Sequence, residues 1–183
     1  MKIAVLVSGG GTNLQALIDS GLAEHIAVVV SSKEGAFALE RAKKAGIATA
    51  VISDSGELVP FLESKAIDLI VLAGYMKILK GEILEKFDRK IINVHPSLLP
   101  AFGGEGMYGL RVHEAVLAEG VKVTGATVHY VNEIVDGGEI LAQKAVEVRA
   151  SDTAEILQRR VMEEAEWVIL PQVVWGLVEG GKR

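Results

Sequence analysis

Residues 2–21 read KIAVLVSGGGTNLQALIDSG. The first six, KIAVLV, form an apolar run of strand length with no polar alternation, as expected of a strand covered on both faces. Three glycines follow. Beyond them Leu14, Leu17, Ile18 and Leu22 recur at helical spacing. Thr12 and Gln15 have the spacing of a capping box, which predicts a helix start near residue 12. A buried strand, a glycine turn and an amphipathic helix make the opening of an α/β unit.

The unit repeats. HIAVVVS (25–31) is the second strand, and FALERAKKAG (37–46) a helix closed by Gly46. ATAVI (48–52) is the third strand, ELVPFLESKA a short helix, DLIVLAG (68–74) the fourth strand. EILEKF makes a helical turn or two, and KIINVH (90–95) is the fifth strand. This order predicts a doubly wound, mostly parallel Rossmann-like sheet. The rhythm then changes. VKVTGATVHYV (121–131) and EILAQKAVEV (139–148), joined by NEIVDGG, read as an antiparallel hairpin added to the sheet. A long helix from about Thr153 closes the chain, with Pro171 expected to interrupt it by leaving the Trp167 carbonyl without its donor.

The chain has 183 residues, half of them hydrophobic, and a net charge of −5. That suits one domain, 1–183, with a sizeable core. It gives no hint of a nucleic-acid surface. Cysteine is absent, which removes disulfides and thiolate ligands or nucleophiles. IAVLV is short for a signal peptide, and no segment approaches the roughly 18–20 apolar residues of a membrane span. The expectation is a cytoplasmic protein with no membrane partner.

In doubly wound sheets, ligands bind beyond the carboxyl ends of the strands. Four features fall there. SGGGTN (8–13) lets a ligand approach the backbone and precedes a helix N-terminus, as a phosphate cradle would; a plain tight turn is the alternative. It is a poor dinucleotide fingerprint, because Leu14 stands at the third glycine position and SSK ends the second strand where an acidic residue would hold a ribose. AGYMKIL (73–79) places Tyr75, Met76, Ile78 and Leu79 in a loop, suited to a flat apolar pocket or to ordinary packing. NVHPSLLP (93–100) ends a strand with Asn93 and His95 on one face, stiffened by Pro96 and Pro100; a structural histidine is the alternative. Asp136, before Gly137 and Gly138, is either aimed inward or a simple turn residue.

Together, SGGGTNLQALID, AGYMKIL, NVHPSLLP and VHYVNEIVDGGEIL resemble, in order and spacing, the phosphoribosylglycinamide formyltransferases, folate-dependent enzymes of purine synthesis. The resemblance covers nearly the whole chain and implies the formyltransferase fold, with a phosphate- or nucleotide-binding half (1–95) and a folate-binding and catalytic half (96–183). It implies Asn93, His95 and Asp136 as the catalytic triad. Gly11, Thr12 and Asn13 would hold the ribonucleotide phosphate, with Asn93 and Glu166 also on that substrate. Met76, Lys77, Ile78 and Leu79, with the loop Asn132, Glu133, Ile134, Val135 and Asp136, would hold the pterin of 10-formyltetrahydrofolate. The implied reaction moves the formyl group from N10 to a primary amine. Asn93 and a protonated His95 would donate to the oxyanion, with Asp136 expected to raise the His95 pKa. No metal is implied: His95, His113 and His129 lack zinc-type spacing. His129 shares a strand face with Thr127; it either neighbours the site or, the better reading, is structural. Small-molecule substrates are the expected partners, and a homodimer stays open.

Two departures stand out. AFGGEGMYGLRV (101–112) is longer than in most of the family and carries four glycines in twelve residues; it reads as a mobile lid or as a subunit contact. No Lys or Arg lies between Lys44 and Lys65, where many members place an arginine on the folate tail. Formyltetrahydrofolate deformylase, or another hydrolase of formyl-folate, is the alternative activity. Methionyl-tRNA formyltransferase would need a basic RNA-binding domain.

Overall fold

The structure is a computed structural model that describes residues 1–180; the expected domain end at 183 lies outside the described residues. Seven strands form one sheet: β1 (Ile3–Val7), β2 (Ile26–Ser31), β3 (Thr49–Val51), β4 (Leu69–Leu72), β5 (Ile91–His95), β6 (Val123–Tyr130) and β7 (Ile140–Glu147). Their spatial order is 3-2-1-4-5-6-7. The first five run parallel. β6 and β7 are antiparallel to their neighbours. The expected α/β fold is therefore present: a doubly wound sheet, mostly parallel, with a C-terminal antiparallel hairpin and a closing helix.

The continuous apolar runs are explained by burial on both faces. Every residue of β1 is buried. Ile3, Val5 and Val7 pack into one core layer, Ala4 and Leu6 into the other. The first layer lies under α1 (Thr12–Asp19), α2 (Phe37–Lys44) and the C-terminal helices, the second under α3 (Ser55–Ser64) and α4 (Glu82–Lys86).

α1 starts at Thr12 as expected, but not by a capping box. Gly11 occupies the cap in the left-handed region, with φ 74°, and no side chain caps the helix. The Thr12 hydroxyl instead faces Met162 Sδ at 3.9 Å. α2 forces this arrangement: a Cβ on Gly11 would lie 2.6 Å from Ala38 Cβ.

The end of the glycine-rich segment 101–112 is already helical, as the start of α5 (Leu110–Glu119). The closing helix is α6 (Ala154–Val161), capped by the Thr153 hydroxyl and tied by a two-pronged Arg160–Asp152 pair, then α7 (Trp167–Gly180). Pro171 does not end it. The irregularity lies one turn earlier, where Met162–Glu166 widens into a π turn. Such a turn shifts the register ahead of a proline that cannot donate, and it rotates Glu166 inward.

Candidate active site

The carboxyl ends of β4 and β5, with Asn13 from α1, open onto a cavity of about 570 Å³, bounded on its far side by the loop before α5. That volume lies within the usual range for small-molecule sites, ~300–1,000 Å³.

Antiparallel pairing builds its polar corner. Asn93 lies opposite His129, and His95 opposite Thr127. All four therefore share one face. Thr127 fixes the segment after the strand: its hydroxyl donates to the Ser97 carbonyl at 2.7 Å and accepts from Leu99 N–H at 3.0 Å. Gln143 on β7 donates to the Leu99 carbonyl at 2.9 Å. The proline-bounded stretch is thus held to the hairpin by side chains, and His95 is anchored from both directions.

Asp136 comes from the β6–β7 connection, in the left-handed region at φ 56°. Asp tolerates that conformation better than most residues. Gly138, two residues on, is obligatory, because a Cβ there would collide with the Tyr130 carbonyl. Oδ2 lies 3.4 Å from His95 Nδ1 and accepts from Gly104 N–H at 2.9 Å. Oδ1 lies 3.6 Å from His129 Nε2. Burial pushes the Asp136 carboxyl up, but His129, His95 and the Gly104 N–H together hold it below the usual carboxylate range.

The expected rise in the His95 pKa is overturned. Burial dominates and lowers it, against the pull of Asp136 and the Phe102 carbonyl. His95 is 3% exposed, and a charge there loses its hydration. Its Nε2 contacts the Phe102 carbonyl at 2.9 Å. A carbonyl only accepts, so Nε2 carries the proton in the neutral ring.

Of the two readings of His129, the structure favours a neighbour of the polar corner: its Nε2 lies beside Asn93 and Asp136. Nδ1 contacts the Tyr130 carbonyl at 2.8 Å, which places a proton there, and Nε2 stands between Asn93 Nδ2 at 3.3 Å and Asp136 Oδ1 at 3.6 Å. It orients the Asn93 amide. The alternating Thr127 and His129 were the available signal, but the β5–β6 register decides it. His113 was missed. It is fully buried, neither ring nitrogen has a partner among the described residues, and burial followed by the nearby His95 lowers its pKa to about 4.

The other expected residues divide. Met76, Lys77, Ile78 and Leu79 line the cavity, as do Asn132, Ile134, Val135 and Asp136; Glu133 is exposed and outside that lining. Asn13 and Glu166 meet at the opposite end, Asn13 Nδ2 donating to Glu166 Oε2 at 2.7 Å. Burial pushes the Glu166 carboxyl up to about 7, with Asn13 opposing. Gly11 and Thr12 stand beside this pair, outside the cavity lining. The loop 104–109 forms cavity wall. Among the described residues, no three His, Asp or Glu side chains gather as a metal site, and no helix is long and apolar enough to cross a membrane.

A family model described as formyl transferase matches residues 1–174. The chain belongs to the formyl transferase family. This formyl transferase is similar to phosphoribosylglycinamide formyltransferase of Haemophilus influenzae, with 42% identity over all of this chain and 89% of the relative. It is 41% identical to the chloroplastic phosphoribosylglycinamide formyltransferase of Arabidopsis thaliana, over 97% of this chain and 65% of that protein. It spans 19% of the trifunctional purine biosynthetic protein adenosine-3 of Bos taurus, at 43% identity. Among solved structures, glycinamide ribonucleotide transformylase 1 of Symbiobacterium toebii superposes with a TM-score of 0.90 at 40% identity, covering 98% of this chain and 88% of that one. The family resemblance drawn from the four motifs is borne out.

Proposed function

We propose that the chain transfers the formyl group of 10-formyltetrahydrofolate to the amine of N1-(5-phospho-D-ribosyl)glycinamide, in de novo purine biosynthesis. One observation carries the reading: Asn93, His95 and Asp136 converge on a single cavity that also holds an apolar wall and the Asn13–Glu166 pair. The relatives' names agree with it.

The residues fit the folate. Tyr75, Met76, Ile78 and Ile134 offer flat apolar surface, and Met76, Ile78 and Ile134 are exposed to the cavity at 53%, 47% and 68%. Bound, the folate would supply an electrophilic formyl carbon on N10. Asn93, oriented by His129, donates N–H to the formyl oxygen as negative charge grows there, a contribution of ~10²–10³ in rate for one such donor. His95, held neutral by burial, accepts the proton lost by the attacking amine. The Asp136 carboxylate steadies the imidazolium so formed. The same proton then goes to N10 as the carbon–N10 bond breaks, so His95 ends neutral. For His95 Nε2 to take the amine's proton, its contact with the Phe102 carbonyl must open and its own proton must pass to Nδ1, which faces Asp136.

Glu166 and Asn13 would hold the glycinamide end, and Gly11, Thr12 and Asn13 the phosphate. Small molecules are then the only substrates, no metal takes part, and the location is cytoplasmic. The test is an absorbance assay of folate with the protein, 10-formyltetrahydrofolate and the ribonucleotide. Turnover that requires the amine is expected. Turnover at equal rate without it would make the chain a hydrolase of formyl-folate.

A further inference from the structure

The glycine loop is held from behind by α2. Gly9 O accepts from Ala38 N–H at 3.0 Å, and Gly10 O accepts from Arg41 Nε at 2.8 Å. In a trans peptide the carbonyl and the next N–H point in opposite directions. Pinning these two carbonyls toward α2 therefore aims the N–H groups of Gly10 and Gly11 away from it. Neither N–H donates to another group among the described residues. Gly11 in the left-handed region followed by helical Thr12 is the backbone sequence of an anion-binding nest. On the open side nothing lies within 4 Å of where a Cβ on Gly9 or Gly10 would sit. Beside it the Asn13 Oδ1, on a residue more than nine-tenths buried, has no partner. α1 has no acidic residue in its first turn and no side-chain cap to satisfy its donors.

Arg41 is fitted to this task. Its Nη1 donates to Gln15 Oε1 on α1 at 3.0 Å, and its guanidinium lies 5.1 Å from the centre of the Phe37 ring. Its Cδ packs 3.4 Å from the place a Gly11 Cβ would take. The fork thus joins α2, the loop and α1.

We propose that Arg41 is a positioning residue for the ribonucleotide phosphate, acting through the Gly10 carbonyl to aim the Gly10 and Gly11 N–H groups. This rests on reading the loop as the phosphate cradle. The residue does not touch the reacting atoms, so its effect falls on one substrate only.

The test uses the full chain and three variants. Arg41→Met keeps the stem packing on Gly11 and Phe37 but has no donors. Its KM for the ribonucleotide is expected to rise roughly tenfold or more, as for loss of a charge-assisted hydrogen bond, while kcat and the folate KM stay within about twofold. Arg41→Ala should do the same. Arg41→Lys keeps the charge but not the fork, and should recover only part of the loss. Titration of inorganic phosphate followed by amide NMR should move the Gly10 and Gly11 signals in the wild type, and move them less in Arg41→Met. An unchanged ribonucleotide KM in a folded Arg41→Met, with the wild-type shifts present, overturns the role of Arg41. Full recovery by Arg41→Lys also overturns it, because charge alone would then suffice. If phosphate and ribonucleotide move neither amide in the wild type, the cradle reading itself fails.

Discussion

At one end of the cavity Asn93, His95, His129 and Asp136 meet side chain to side chain, at separations of 3.3 to 3.6 Å. Past the other, beside the Asn13–Glu166 pair and outside the cavity lining, the loop Gly9–Gly11 presents backbone, held from behind by Ala38 and Arg41. The first end is a set of titratable groups whose charge is decided by burial and by one another. The second has fixed partial charges that do not titrate. A site that must change its proton count during a reaction needs the first kind. A site that holds an anion unchanged through the reaction is better served by the second. Variants at the two ends should separate into rate effects and binding effects.

The largest effect belongs to the side-chain end. His95→Ala and Asp136→Asn are each expected to lower kcat by ~10²–10⁴, with little change in either KM. Asp136→Asn keeps a residue that tolerates φ 56° and an acceptor for Gly104 N–H, so the fold should survive. Steady-state kinetics checks this. Near-normal turnover with an intact fold would remove these residues from the chemistry.

Burial at the same end gives a pH signature in stability. His113 has a folded pKa of about 4, below the ordinary 6.5, so the unfolded chain takes up the proton first as pH falls. Its contribution is fully present above pH 6.5 and lost between 6.5 and about 4, a swing on the order of 3 kcal/mol. The lowered His95 acts in the same direction. Glu166 acts in the opposite sense: raised to about 7, it favours the folded state most below pH 4.5, and that advantage is lost as pH rises through 7. Urea unfolding of His113→Phe between pH 4 and 7.5 should show a shallower acid decline than the wild type. Parallel curves would mean that His113 is not held neutral by its surroundings.

The backbone end is broken by a methyl group. Gly11→Ala puts a Cβ against Ala38 and into a left-handed conformation, which should cost roughly 2 kcal/mol in stability and raise the ribonucleotide KM. Gly10→Ala meets nothing on the protein side and should fold normally, so any rise in ribonucleotide KM reports the ligand alone. If both variants spared the ribonucleotide and weakened folate, the two ends would have to be exchanged.

Much of this was legible in the chain, and what was not has identifiable causes. The five parallel strands announce themselves because each is a short apolar run between turn residues, and Asn93 and His95 stand out as polar groups ending one. The hairpin and the start of the closing helix near Thr153 are equally local. The capping box at Thr12 failed because α2 packs on Gly11 across some thirty residues of chain. His129 looked structural because its relation to Asn93 depends on a strand register set by tertiary pairing. The His95 pKa went the wrong way because residue types disclose a neighbour such as Asp136 but not the depth of burial that outweighs it. The π turn that delivers Glu166 has no composition of its own.

The smallest effect is expected at the cavity mouth. The family resemblance places an arginine between the third and fourth strands, on the folate tail, and this chain has none there. Lys77, from the loop after β4, instead donates through Nζ to the Ser53 carbonyl, just beyond β3. It stands over the segment that lacks the arginine while also lining the cavity. An exposed ammonium held by one carbonyl can swing to a carboxylate at little cost, but the resulting pair is solvated, worth ~0.2–1 kcal/mol. Lys77→Ala should therefore raise the folate KM by only about two- to fivefold, leaving kcat and the ribonucleotide KM alone. The increase should vanish for a folate analogue without its glutamate, and shrink at high salt. A loss of the same size with the truncated analogue would assign Lys77 to the pterin wall rather than to the tail.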